Sequence, residues 1–281
     1  MRMINSTLPG SKSKRRTVMD NFVDERDYKL IETDRYTFFV LSRILKGKCD
    51  LILSDHERLI ICFSCAPFPV WIWTPDDATE KDLENAYKVV AENGLLDGKH
   101  SFNVKYKLAE FFINKTKDTL LHLTVKTNMF AYDCPQVKEP STVAKGDIYK
   151  LTEADEDELV DFTEAFHNEL KLDQRDRKFY RESAKADIEN GKIFFWKNDK
   201  GENVASCKYR VDDGLGCISL VYTKPEHRRG HYAENLVSKV SRLAEAEGLT
   251  PMLYTDADYV ASNACYEKIG YIRRGELCTI G

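Results

Sequence analysis

The chain has 281 residues, of which 42% are hydrophobic and 31% charged, with a formal net charge of −4. Such a composition supplies apolar residues for one large core or two ordinary ones and excludes a disordered chain. The slight acidity argues against a dedicated nucleic-acid binder, and every apolar run is far too short to span a bilayer.

Residues 1–18 are polar, with Lys12, Lys14, Arg15 and Arg16 clustered and no apolar stretch behind them. They are expected to form a flexible basic tail rather than an export signal, and a nucleic-acid- or partner-binding arm is the other reading. The eight cysteines are then read as reduced thiols of a cytoplasmic protein. Cys62-Phe63-Ser64-Cys65 lies in an apolar run. A zinc site wants a second such pair, which the chain lacks, so these read as core cysteines.

Tyr28 to Leu45 mixes helix and strand signals. Asp50 to Leu53 and Leu59 to Cys65 read as two strands about a polar turn. Pro67 to Trp73 reads as a third strand, held at a sheet edge by its prolines. Thr79 and Asp82 resemble a capping box, and Leu83, Ala86, Tyr87 and Val90 follow at helical spacing up to Gly94. Leu108, Phe111 and Phe112 mark a short helix, and Leu120 to Phe130 is strand-like. Residues 135–146, with two prolines, are the expected linker between an N-terminal α+β domain (19–134) and a second domain (147–281).

The second half opens with a strand from Ile148 to Leu151 and a Thr152/Asp155 cap. One helix carries Leu159, Phe162 and Phe166, and the next carries Tyr180, Ala184 and Ile188 up to Gly191. Three strands follow as a meander, Ile193–Trp196, Val204–Val211 and Cys217–Thr223, joined by turns at Asn198–Gly201 and Asp212–Gly214. Lys224-Pro225-Glu226-His227-Arg228-Arg229-Gly230 breaks the ladder. Ala233, Leu236, Val237, Val240, Leu243 and Ala244 then fall on one helix face. A strand thus feeds a short basic turn that opens a helix. The free N–H groups of that first turn, with two arginines, suit a pyrophosphate. A strand at Thr250–Thr255 and a helix at Val260–Lys268 follow, and with a last strand after Gly270 the order is β-α-α-β-β-β-α-β-α-β, that of a mixed α/β domain.

The Arg-x-x-small-x-Ala turn, followed by Asn263 and Tyr266-Glu-Lys-Ile-Gly270-Tyr271, resembles the GNAT superfamily of N-acetyltransferases. The resemblance covers roughly the second half and centres on Leu220 to Tyr271. It implies a mixed sheet whose central strands splay to admit coenzyme A. The backbone of Val221, Tyr222 and Thr223 then orients the pantetheine amides and polarises the thioester carbonyl. Arg228, Arg229, Gly230, His231, Tyr232 and Ala233 take the pyrophosphate. Asn263 bonds the pantetheine arm, and Tyr266 protonates the departing sulfur. The family turn has glycine where this chain has His231. The first half fits a degenerate copy that lacks the basic turn.

The resemblance implies an acetyl-CoA-dependent transferase acting on a primary amine of a small molecule or peptide. A non-catalytic coenzyme A-binding scaffold is the alternative. A nucleotide site would need the Gly-Lys-Ser/Thr that the turn lacks. Each residue also has a structural reading: Tyr266 as a core aromatic, the arginines as a solvated pair, Asn263 as a helix cap. Asp256 and Asp258 stand where an amine could enter, yet Asp is a common turn residue. His227 and His231 have no carboxylate or cysteine partner in the pattern, so no metal site is expected. The acceptor, the general base and the oligomeric state are not legible in the sequence.

Overall fold

The computed structural model describes residues 19–171 and 175–281. The expected basic tail lies outside them. The first half runs α1 (Glu25–Glu32), α2 (Phe39–Ile44), β1 (Leu51–Ser54), β2 (Ile60–Phe63), β3 (Val70–Trp73), α3 (Glu80–Glu92), β4 (Phe102–Val104), α4 (Tyr106–Thr116) and β5 (Val125–Asp133). The second runs β6 (Asp147–Lys150), α5 (Glu156–Glu169), α6 (Arg177–Asn190), β7 (Ile193–Lys197), β8 (Asn203–Asp212), β9 (Leu215–Thr223), α7 (Tyr232–Ala246), β10 (Thr250–Asp256), α8 (Val260–Ile269) and β11 (Ile272–Ile280). After β6, the second half repeats the order of the first.

Local chemistry places the boundaries. Thr79 and Asp82 form the expected capping box at α3, and Thr152 and Asp155 form another on the turn before α5. Asp213 and Gly214 both take left-handed backbone, with φ of 49° and 75°, which matches the twist of the β8–β9 hairpin. One expectation changes, and one element had none. β3 is wholly buried between β2 and β4, not at an edge, because Pro67 and Pro69 precede its ladder instead of sitting in it. β4 has only three residues, too short for any periodic signal.

The described strands form one 11-stranded sheet in the order β1-β2-β3-β4-β11-β5-β10-β9-β8-β7-β6. The halves exchange their last strands. β5, from the first half, lies between β10 and β11 and pairs antiparallel with both. β11 in turn pairs through Cys278, Thr279 and Ile280 with β4. The sheet therefore runs unbroken past the 135–146 connection.

Side-chain alternation sorts the helices by face. Ile61, Ile72 and Cys278 pack under α3 and α4, while Leu253, Ile218 and Phe194 pack under α7. On the other face, Ile60, Trp71 and Leu277 meet α1 and α2, and Ile193 and Phe195 meet α5 and α6. The 135–146 segment straps α7 down. Glu234 accepts from the Ser141 N–H at 3.2 Å, Asn235 donates to the Thr142 carbonyl at 2.8 Å, and Ser238 donates to the Lys138 carbonyl at 3.0 Å. Those bonds explain why α7 buries polar residues beside its apolar face.

Candidate active site

The site begins where two parallel strands part. β9 and β10 pair only at Leu215–Thr250, Gly216–Pro251 and Cys217–Met252. Past that point β9 stays with β8, and β10 stays with β5 as far as Asp256. Between Ser206 and Lys208 the register slips, giving β9 one extra residue, and Leu220 within that slip has φ of 52°. A bulge bends a strand and re-aims its backbone groups. The opening is a cavity of about 1350 Å³, walled by β9 from Cys217 to Thr223 and by Leu253 to Asp256 of β10.

The basic turn closes one end of this cavity. Arg229 and His231 both adopt left-handed backbone, with φ of 65° and 60°, on either side of Gly230. Alternation of this kind aims successive N–H groups into a common hollow. A Cβ at Gly230 would stand 2.5 Å from the Tyr232 ring, so the position wants glycine. No side chain caps α7, and its first helical bond is from the Asn235 N–H to the His231 carbonyl at 3.1 Å. The N–H groups of Tyr232, Ala233 and Glu234 precede that bond, at the positive end of the helix. The His231 ring turns to the buried Glu234 carboxylate, at 3.2 Å.

Of the sequence-derived residues, Val221, Tyr222, Thr223, Arg228, Arg229, His231, Tyr232, Ala233 and Tyr266 line this cavity. Gly230 shapes the turn from behind. Asn263 is buried and stands outside the lining; its amide donates to the carbonyls of Asp256 at 3.2 Å and Ala257 at 3.1 Å, while its Oδ1 has no partner. Arg228 donates from Nε to the Thr223 carbonyl at 3.2 Å, and its Nη2 holds the carboxylate of Glu169, at the end of α5. Asp256 lines the cavity and accepts from the Asp258 N–H at 2.9 Å, while Asp258 accepts from Asn128 at 2.9 Å.

Tyr266 is 7% exposed, with its ring edge-on to Tyr271 at 5.8 Å. Burial pushes its phenol well above the ordinary range, and Cys265 and Cys207 nearby act in the same direction. The hydroxyl is therefore fully protonated at neutral pH, as a proton donor must be.

Several cavity residues carried no sequence signal. Glu169 ends an amphipathic helix like any surface acid. Phe39 reaches the cavity from α2 in the first half, where it meets Tyr254 at 4.6 Å. Arg210 and Lys208 lie on β8, opposite Cys217 and Ser219 of β9. Only the pairing of β8 with β9 makes them neighbours of the site.

Residues 152–271 match the model of the Acetyltransferase (GNAT) family. The second half of this chain is a GNAT domain. The GNAT fold also describes both halves together. A GNAT-family acetyltransferase from Colwellia psychrerythraea is similar with a TM-score of 0.59, over 94% of this chain and 98% of that one, at 11% identity. A GCN5-related N-acetyltransferase from Sphaerobacter thermophilus gives 0.67 over 91% and 90%, also at 11% identity. One from Kribbella flavida gives 0.56 over 89% and 95%, at 15% identity. At such identities the likeness concerns the fold alone. No curated protein matches the sequence. No helix among the described residues is long and apolar enough to cross a membrane.

Proposed function

We propose that this GNAT protein is an acetyl-CoA-dependent N-acetyltransferase that acts on a primary amine. One observation carries the reading: the parted β9 and β10, the uncapped basic turn and the protonated Tyr266 open into a single cavity. The N–H groups of the turn, with Arg228 and Arg229, hold the pyrophosphate of coenzyme A by charge-assisted hydrogen bonds. β9 past its bulge has no pairing to β10, so its backbone is free to bond the pantetheine amides and polarise the carbonyl. Acetyl-CoA would supply the acetyl group as a thioester: the amine nitrogen bonds the carbonyl carbon, the carbon–sulfur bond breaks, and the thiolate takes a proton. Tyr266 donates that proton and recovers it from the spent ammonium through solvent. Asn263 supports the site indirectly, by fixing the loop that leads from β10 into α8.

The non-catalytic reading draws on Arg228, which Glu169 occupies, and on His231 at the glycine position. Turnover decides between them. Acetyl-CoA incubated with a mixed amine panel should yield free thiol and acetylated amine. Tight coenzyme A binding with no product from any amine would favour the scaffold. A reducing compartment such as the cytoplasm, where the eight cysteines would stay thiols, is part of this reading.

A further inference from the structure

The end of the cavity away from the basic turn has its own chemistry. It lies on the sheet face that carries α1, α2, α5 and α6. Cys217 is on that face, packed with Tyr36 and Phe39, and Arg210 is its direct antiparallel partner. Arg210 therefore stands on the floor of the trough between α6 and α2.

The charges on this floor are unevenly paired. Lys208 is neutralised by Asp187 of α6 at 2.6 Å. Among the described residues Arg210 has no such close partner: its one ion pair there is with Asp212 at 3.9 Å, and Asp212 also stands 3.9 Å from Arg43. Two guanidiniums thus share one carboxylate, and neither is within hydrogen-bond distance of it. The Asp212 Oδ2 is itself buried without a hydrogen-bond partner. Burial raises the Asp212 carboxyl above its usual range, against the pull of the Arg210 and Lys46 charges. Arg210 is half-exposed and lines the cavity, its charge met only by the shared Asp212 carboxylate beyond hydrogen-bond distance, and it has five N–H donors to satisfy.

We infer that the acceptor carries a carboxylate in addition to its amine, and that Arg210 binds this carboxylate while Phe39 forms the apolar wall beside it. The inference rests on the acetyltransferase reading and names the acceptor class for the same cavity. Cys217, opposite Arg210, is three residues from the bulge at Leu220, about 10 Å of strand. An arginine side chain and a small amino acid together span such a distance, with the amine toward the bulge. The guanidinium fork suits a carboxylate bidentately, which a lysine would not. Because α2 supplies Phe39, the first half takes part in selecting the acceptor without a cofactor site of its own.

Matched amines that differ only in the carboxylate test the idea: phenylalanine with phenethylamine, lysine with cadaverine, and β-alanine with ethylamine. The full chain is first saturated with coenzyme A, and the affinity of each amine is measured by calorimetry. Their kcat/KM values with acetyl-CoA are then measured. The carboxylated member of at least one pair should be favoured about tenfold or more, the scale of one charge-assisted hydrogen bond, and chiefly in KM. Arg210→Met should bring that pair to within about threefold without changing the decarboxylated amine, and Arg210→Lys should restore part of the preference. Equal treatment of every pair, binding of neither member, or a preference that survives Arg210→Met would each overturn the inference while coenzyme A binding stands. Failure of the wild-type chain to bind coenzyme A at all would instead remove the acetyltransferase reading, and this inference with it.

Discussion

At the scale of single residues, Tyr266 divides enzyme from scaffold. Tyr266→Phe keeps the ring and removes the hydroxyl. If the phenol protonates the leaving thiolate, kcat falls by roughly 10²–10⁴. The affinity for acetyl-CoA moves by under about 1 kcal/mol, because a volume-conserving swap leaves the packing intact. Burial holds the phenol above the ordinary value near ~10. The alkaline limb of the wild-type rate should therefore begin above about pH 10, and the Phe variant should lack it. A Phe variant with full kcat, where chemistry limits the rate, would remove Tyr266 from the mechanism. Glu169 yields the opposite kind of expectation. Its carboxylate occupies Arg228, so a coenzyme A phosphate bound there would have to displace it. Glu169→Gln should tighten coenzyme A binding, by up to about fivefold, the worth of a pair this exposed. Weaker binding in calorimetry would mean that Glu169 positions Arg228 for the phosphate.

At the scale of elements, the turn between β9 and α7 shows why the family prefers glycine at its fourth position. His231 sits at φ of 60°, where a residue with a Cβ loses roughly 1–2 kcal/mol. The glycine one step earlier answers a different need, close passage of the Tyr232 ring. His231→Gly should raise the melting temperature by relieving that backbone, since the half-exposed contact to Glu234 contributes less. A lower melting temperature would show that the histidine–Glu234 pair outweighs the strain. The first half offers a built-in comparison. Its β3 and β4 are likewise parallel, but the turn after β3 carries Asp76 and Asp77, and Thr79 and Asp82 cap α3. An acidic, capped helix start repels phosphate. Coenzyme A should therefore titrate to one equivalent per chain, and a second equivalent would contradict this account.

At the scale of the whole molecule, the exchange of β5 and β11 makes the two halves interdependent. In a fragment of residues 147–281, β11 would lose both strands that flank it, and β10 would lose β5. Unpaired strand edges and an open core face should abolish a cooperative thermal transition. A fragment of 120–281 restores β5 and should regain the transition, read by circular dichroism. Cooperative melting of 147–281 near the full-length temperature would show the halves to be separable. Alkaline pH probes the same core. Burial raises the phenols of Tyr254, Tyr266 and Tyr271, which stay neutral in the fold, while unfolded phenols ionise near ~10. Stability is then fully present below about pH 10 and declines as pH rises above it. A flat melting temperature from about pH 9 to 11 would contradict the burial of these rings.

Much of the second half is legible in the amino acids because its signals are local. Hairpin turns such as Asp213-Gly214, the cap at Thr152, and the helical spacing of Leu236, Val237 and Val240 depend on near neighbours in the chain. So does the basic turn, where Arg228 to Ala233 are consecutive. The family pattern at Asn263 and Tyr266 is also contained within one helix. What needed the tertiary structure was everything carried by distant pairing. The exchange of β5 and β11 leaves no trace in the alternation of either strand, since a strand buried by its own half and one buried by the other look alike. The place of β3 in the sheet interior, the strap that accounts for the polar residues of α7, and the reach of Phe39 into the cavity arise in the same way. So does the loose partnership of Arg210 with Asp212 beside Arg43. Sequence spacing determines which side chains share a face; only the register between strands decides which faces meet.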